Sequence, residues 1–231
     1  MAAYTVEPAI FEMFPAFRRG VVVANGIDNT NTDPETVRLL AAAAANASAE
    51  PAKIEVWNEA YRTFGADPDK HTPSIRFLYQ QIQKGKPPRS ISKVVDLFNI
   101  ISLRWIAPCG GDDLSALEGG DLLLGLARGD ETFAPLFKPA AVEAPLPGEV
   151  IYYTPQTRRV LCRRWTWRNA DFSKIAPATK AVAINVDMMM PPFTETDLES
   201  ALGDLAGMLR RFCGGEVHTH VLKPATPSFS L

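Results

Sequence analysis

Ser92-Lys-Val-Val-Asp-Leu-Phe-Asn-Ile-Ile-Ser-Leu-Arg-Trp105, then Pro108-Cys-Gly-Gly-Asp-Asp113, then Asp121-Leu-Leu-Leu-Gly-Leu-Ala127, is the stretch in which this chain changes character. Val94, Phe98, Ile101 and Trp105 recur at helical spacing, and the segment is apolar nearly all round, which predicts a buried helix. Its polar exceptions, Ser92, Asp96 and Asn99, fall at i, i+4 and i+7 and share one stripe. Buried polar groups need partners, either a neighbouring loop or a ligand. Gly110 and Gly111 then allow backbone amides to approach a ligand closely, although a tight turn with a helix cap at Asp113 explains the same residues. From residue 121 onward the pattern becomes that of strands.

Upstream the chain reads as mostly helical. Gly20-Val-Val-Val-Ala24 is a short buried strand closed by the Asn25-Gly26 turn. Asp33 before Pro34 predicts a capped helix to about residue 47. Further helices fit 54–64, with Ile54, Trp57 and Tyr61 in phase, and 73–84, ended by Gly85.

Downstream, strands are expected over 121–127, 149–153, 159–167, 180–187 and 216–222, with a helix from a Thr196/Glu199 capping box to Gly214-Gly215. Partial segregation of helices and strands predicts an α+β fold. With no linker or repeat, residues 1–231 are expected to form one domain, helix-rich over 1–115, strand-rich over 116–190, and ending in a helix and strand over 191–231.

A 231-residue chain of 46% hydrophobic content can bury a substantial core. No apolar run approaches the roughly twenty residues that span a bilayer, and the first residues lack a secretory pattern, so the cytoplasm is the expected location. Cys109, Cys162 and Cys213 are odd in number and widely spaced, which predicts neither disulfides nor a zinc site. His218 and His220 share a strand face, but two ligands fall short of a typical metal centre. No P-loop, HExxH or Ser/His/Asp order is present, so no metal or cofactor is expected. A thiol nucleophile at Cys109 has no histidine near it in sequence.

Charge is concentrated in one place. Between residues 158 and 180 lie seven basic side chains and the single acid Asp171, in a chain of net charge −2. Within that run, Cys162-Arg-Arg-Trp-Thr-Trp-Arg168 reads as a strand with Arg164, Thr166 and Arg168 on one face. The cations are either a solvated face or an anion-binding edge, and the indoles of Trp165 and Trp167 are either core or stacking platforms. A local basic patch on an acidic body fits the docking of a nucleic-acid end better than that of a duplex.

Taken in order, Val95-Asp96-Leu-Phe-Asn99, Pro108-Cys-Gly-Gly-Asp-Asp113 and Gly120-Asp-Leu-Leu-Leu-Gly-Leu-Ala127 resemble the tRNA-editing (B3/B4) domain of the phenylalanyl-tRNA synthetase β-subunit, in which a V-D-x-x-N helix leads to a P-x-H-x-x-D loop. Free-standing B3/B4 proteins are more similar still, with a Pro-x-Gly-Gly loop, a turn like Pro147-Gly148-Glu149, and a Cys-Arg-Arg-Trp-x-Trp-Arg strand followed by a threonine like Thr179. The resemblance spans residues 10–190 and implies a three-layer fold with a mixed or antiparallel sheet core flanked by helices. It also implies a trans-acting aminoacyl-tRNA deacylase, working without a cofactor on the tRNA acceptor end. Asn99 matches the editing asparagine and Asp113 the loop's final aspartate, while the family's loop histidine falls on Gly110 and its editing glutamate on Asn185.

On this basis Asn99, Gly110 and Gly111 are the expected catalytic positions, with the two glycine amides donating to the oxyanion. Asp96, Asp113 and Asn185 are expected on the aminoacyl group, and Arg164 and Arg168 on acceptor-end phosphates. The alternative is a non-catalytic module that binds an aminoacyl-tRNA end, an amino acid or a small anion. The sequence leaves the oligomeric state open.

Overall fold

The computed structural model describes residues 2–231, in the order β1 (Ala3–Val6), α1 (Pro8–Met13), β2 (Phe17–Asn25), α2 (Pro34–Ala45), α3 (Pro51–Thr63), α4 (Ser74–Gln83), α5 (Lys93–Trp105), β3 (Cys109–Asp113), a 3-10 turn (Leu114–Leu117), β4 (Leu122–Leu126), β5 (Val150–Thr154), β6 (Arg159–Arg163), β7 (Arg168–Asn169), β8 (Ala181–Met189), α6 (Glu195–Phe212), β9 (Glu216–Leu222) and β10 (Ser228–Ser230). The fold is α+β, with helices flanking two sheets. One sheet is antiparallel in the order β3-β8-β2-β9. The other, β10-β1-β4-β5-β6-β7, is mixed, because β1 and β4 run parallel. The expected sheet core is therefore two stacked sheets.

Strand β2 sits inside the four-stranded sheet and is buried on both faces, which explains its continuous apolar run. Its even residues face the helices: a Cβ on Gly20 would lie 2.7 Å from Leu202 of α6. Its odd residues face the six-stranded sheet, where Arg19 Nη1 donates to Tyr4 Oη at 3.2 Å. Helices, four-stranded sheet and six-stranded sheet thus stack in three layers. Of the four residues that predict a buried helix, Val94 and Ile101 are fully buried and Phe98 and Trp105 partly so, and Ser92 caps α5 through Val95 N.

Several expectations are corrected. The Arg/Trp run is not one strand but a tight hairpin: β6 stops at Arg163, Arg164 and Trp165 adopt left-handed φ of 46° and 61°, and β7 resumes at Arg168. Burial compensates for that strain. Trp165 is 2% exposed and packs edge-on against Phe17 and Trp57 at 4.8 and 5.4 Å, while its indole N–H donates to Asp187 Oδ2 at 3.0 Å. Residues 109–113 form an edge strand and not a loop. The capping box of α6 is Thr194/Asp197, two residues earlier than Thr196/Glu199. Strands β1 and β10 and helix α1 escape sequence reading because each is six residues or shorter. Among the described residues no helix is long and apolar enough to cross a membrane.

Candidate functional site

Two cavities meet at the end of the sheet layers. The first, of about 290 Å³, has Gly110, Asp112, Asn185 and Arg19 of the four-stranded sheet on one side and Tyr152 and Cys162 of the other sheet opposite. The second, of about 690 Å³, lies toward the helices and is lined by Asn99 and Ser102 of α5 and by Ile75 and Leu78 of α4. Ser74, Cys109, Trp167 and Arg168 border both, so the two form one cleft.

Five expected site residues converge here: Asn99 on the larger cavity, and Gly110, Gly111, Asn185 and Arg168 on the smaller, with Arg168 reaching both. Asn99 and Asn185 make no side-chain hydrogen bond among the described residues, leaving both amides free for a ligand. Arg168 is exposed, forms no ion pair among the described residues, and lies 5.3 Å from the centre of the Trp167 ring. The hairpin turn gives it this position at the cleft mouth, which a straight strand would not.

Three expected residues lie elsewhere. Asp96 is fully buried and faces the loop before its own helix, accepting from Ser90 Oγ at 2.6 Å and Ile91 N at 2.9 Å. Asp113 caps the following 3-10 turn through Ser115 N at 2.9 Å and takes the Thr179 hydroxyl at 2.6 Å. Arg164 is 8% exposed and held by Glu149, which accepts from its backbone N at 3.1 Å and stands 3.5 Å from its guanidinium. Glu149 also takes both forks of Arg163, at 2.9 and 2.8 Å. Burial works to raise the Glu149 carboxyl, but the bonds and charge of Arg163, with the charge of Arg164, hold it below the ordinary range. Most of the apparent basic stripe is therefore an internal charge network.

The expected pair of oxyanion donors is also corrected. Pro108 O accepts from Asp187 N on the β8 side, whereas Asp113 N donates to Ser173 O on the other. Successive amides of an extended strand point in opposite directions, so Gly110 N–H is directed into the ladder and Gly111 N–H toward the open edge. They cannot converge on one oxygen. The two glycines have different roles instead. A Cβ on Gly111 would lie 2.9 Å from Ile184 Cγ1 and 3.2 Å from Ala183 O, whereas a Cβ on Gly110 would meet nothing within 4 Å. Gly111→Ala is expected to cost about 1–3 kcal/mol through overpacking, and Gly110→Ala less than about 0.5 kcal/mol, readable as urea midpoints.

Sequence reading missed the floor of the cleft. Arg19 is clamped by Asp187 at 2.8 and 2.7 Å, both side chains essentially inaccessible. Burial opposes charge on Arg19, and Asp187 more than reverses this, so the guanidinium stays protonated. Beside it, Asp112 is 7% exposed, and burial pushes its carboxyl up to about 7 against the pull of its Ser173 hydrogen bond. A signal was available: Arg19 shares the parity of Phe17, Val21 and Val23, which places a cation on a buried face.

The thiols have no activated form. Burial raises Cys109 well above the ordinary range and Cys162 up to about 12, so both keep their protons at neutral pH. Among the described residues no group of three or more histidine, cysteine or carboxylate side chains is arranged to hold a metal ion.

A sequence model of the B3/4 domain matches residues 56–214 of this chain. Among solved structures, the chain is similar to an N-terminal fragment of the phenylalanyl-tRNA synthetase β-subunit from Pyrococcus horikoshii, at 13% identity and a TM-score of 0.46. The similarity covers 93% of this chain and 49% of that one, so the chain spans about half the length of the fragment. No curated protein matches.

Proposed function

The chain belongs to the B3/4 domain family, and from that membership we propose that it is a trans-acting deacylase of mischarged aminoacyl-tRNA, with residues 1–231 acting as one such domain in the cytoplasm. The observation that carries this reading is the two-part cleft, in which the free amides of Asn99 and Asn185 lie on either side of the free cation Arg168. The larger cavity is of a size to admit a nucleoside, and the smaller an aminoacyl group. Asn99 orients the terminal ribose, Asn185 holds the aminoacyl group, Arg168 meets the adjoining phosphate, and Gly110 leaves the floor open. An aminoacyl ester is already activated, so hydrolysis needs mainly a positioned water and donors for the developing oxyanion.

Asn99→Ala is expected to lower the deacylation rate roughly 10²-fold, the scale of lost positioning, while leaving the melting temperature within about 2 °C. An unchanged rate would remove Asn99 from the site.

A binding-only module is the rival reading. Gly110 and Asn185 carry no ionisable group where the resembled synthetase domain has histidine and glutamate, which favours it. It predicts that a non-hydrolysable aminoacyl-adenosine analogue raises the melting temperature while intact aminoacyl-tRNA is never turned over.

A further inference from the structure

We propose that Asp112 and Tyr152 form the hydrolytic pair of this cleft, Asp112 taking the proton of the attacking water and Tyr152 donating to the ester carbonyl oxygen. The inference rests on the deacylase reading and deepens it. Both side chains line the smaller cavity from opposite sheets. Asp112 Oδ1 accepts from Ser173 Oγ at 2.6 Å, and Oδ2 has no hydrogen-bond partner among the described residues. The Tyr152 hydroxyl is itself inaccessible to water, its side chain 3% exposed, and it has no hydrogen-bond partner of good geometry, with the Tyr4 hydroxyl standing beside it. A buried hydroxyl without a hydrogen-bond partner, in a residue that lines a cavity, is unusual for a purely structural residue and leaves the O–H available to a ligand acceptor. A carboxylate with one free oxygen supplies the complementary acceptor. Together they replace the oxyanion hole that the extended strand denies to Gly110 and Gly111.

The electrostatics suit these roles. Burial is the main cause that brings the Asp112 carboxyl to about 7, where it is both substantially ionised and basic enough to take a proton. Burial raises the Tyr152 hydroxyl well above its ordinary value, so it remains a neutral donor. The groups that bear on Asp112 are the Arg19 cation of β2, neighbouring Asp113, and the protonated Tyr4, Tyr152 and Cys162 of the facing sheet. Burial keeps the Tyr4, Tyr152 and Cys162 side chains protonated and neutral near pH 7.

In the reaction, the water oxygen bonds to the ester carbonyl carbon as its proton passes to Asp112. The carbonyl π pair moves onto oxygen and is held by the Tyr152 O–H. Collapse of the adduct breaks the bond to the ribose oxygen, which takes the proton back from Asp112, leaving free amino acid and a tRNA with its hydroxyl restored.

The test is single-turnover deacylation of a mischarged aminoacyl-tRNA between pH 5.5 and 8.5, after subtraction of the uncatalysed rate, for wild type, Asp112→Asn and Tyr152→Phe. The wild-type rate is expected to rise with a midpoint near pH 7. Asp112→Asn is expected to lose about 10²–10⁴-fold and the midpoint with it. Tyr152→Phe is expected to lose about 10²–10³-fold while keeping the midpoint.

Stability supplies a second readout. The folded carboxyl has the raised pKa, so its contribution is full at about pH 4 and is lost as pH rises through about 7. Asp112→Asn should remove that pH dependence relative to wild type. An active wild type whose Asp112→Asn variant keeps both rate and midpoint overturns the inference alone. A wild type inactive on every aminoacyl-tRNA overturns the deacylase reading and this inference together.

Discussion

Asp187→Ala is expected to lower the unfolding free energy by about 3–5 kcal/mol, the usual cost of leaving a buried charge without its partner. Arg19 loses both short hydrogen bonds, and Trp165 loses the acceptor of its indole N–H. At about 2–4 °C per kcal/mol for a chain of this size, the melting temperature should fall by roughly 6–20 °C. The cost comes from the stranded guanidinium and not from the carboxylate's own worth, so the double variant Arg19→Met/Asp187→Leu should recover most of the loss. Thermal unfolding of the single and double variants distinguishes the two. A single variant that melts with the wild type would mean that water already reaches the pair. Arg19 lines the smaller cavity and reaches Tyr4 of the facing sheet, so Asp187→Ala should also lower activity at temperatures where the protein is still folded.

Charge reversal at the two arginines of the hairpin should have opposite consequences. Arg164→Glu places a second carboxylate against Glu149 in a site 8% exposed, and is expected to cost about 3–5 kcal/mol of stability. Arg168→Glu should leave the melting temperature unchanged, because the side chain is exposed and forms no ion pair among the described residues. Its effect should fall on tRNA: KM about tenfold higher, equivalent to about 1.4 kcal/mol, and a salt dependence of binding shallower by about one unit. Melting curves with titrations of tRNA at several salt concentrations check both. Equal effects on stability from the two reversals would contradict the hairpin, and full tRNA affinity in Arg168→Glu would remove the cleft mouth from the interface.

The helical half of the fold is legible because its signals are local. Asp33 before Pro34, the periodicity of Ile75 and Tyr79, and the Ser92 cap act within one turn of the elements they define. Strand β3 is not legible, because Cys-Gly-Gly-Asp-Asp has no strand propensity and becomes extended only by pairing with β8. The Arg164–Trp165 turn is hidden for the converse reason: neither residue favours φ above zero, and burial of Trp165 decides the backbone.

The site divides in the same way. Asn99, Gly110, Asn185 and Arg168 are found by motif and reach the cleft, whereas Asp96 and Asp113 share the motif but are used locally, Asp96 tying down the loop before α5 and Asp113 capping the 3-10 turn. Arg19, Asp187 and Asp112 come together by strand pairing across β2, β8 and β3, and Tyr152 joins them when the two sheets stack, long-range events that no window of sequence contains.

The central claim is that this cleft hydrolyses aminoacyl-tRNA. The measurement that bears on it most directly is release of labelled amino acid from a full panel of correctly and incorrectly charged tRNAs by catalytic amounts of the purified protein. The account predicts multiple turnover on at least one mischarged species and a rate about 10²–10⁴-fold lower for the Asp112→Asn variant. A panel left intact by wild-type protein, whether or not it binds the RNA, would contradict it.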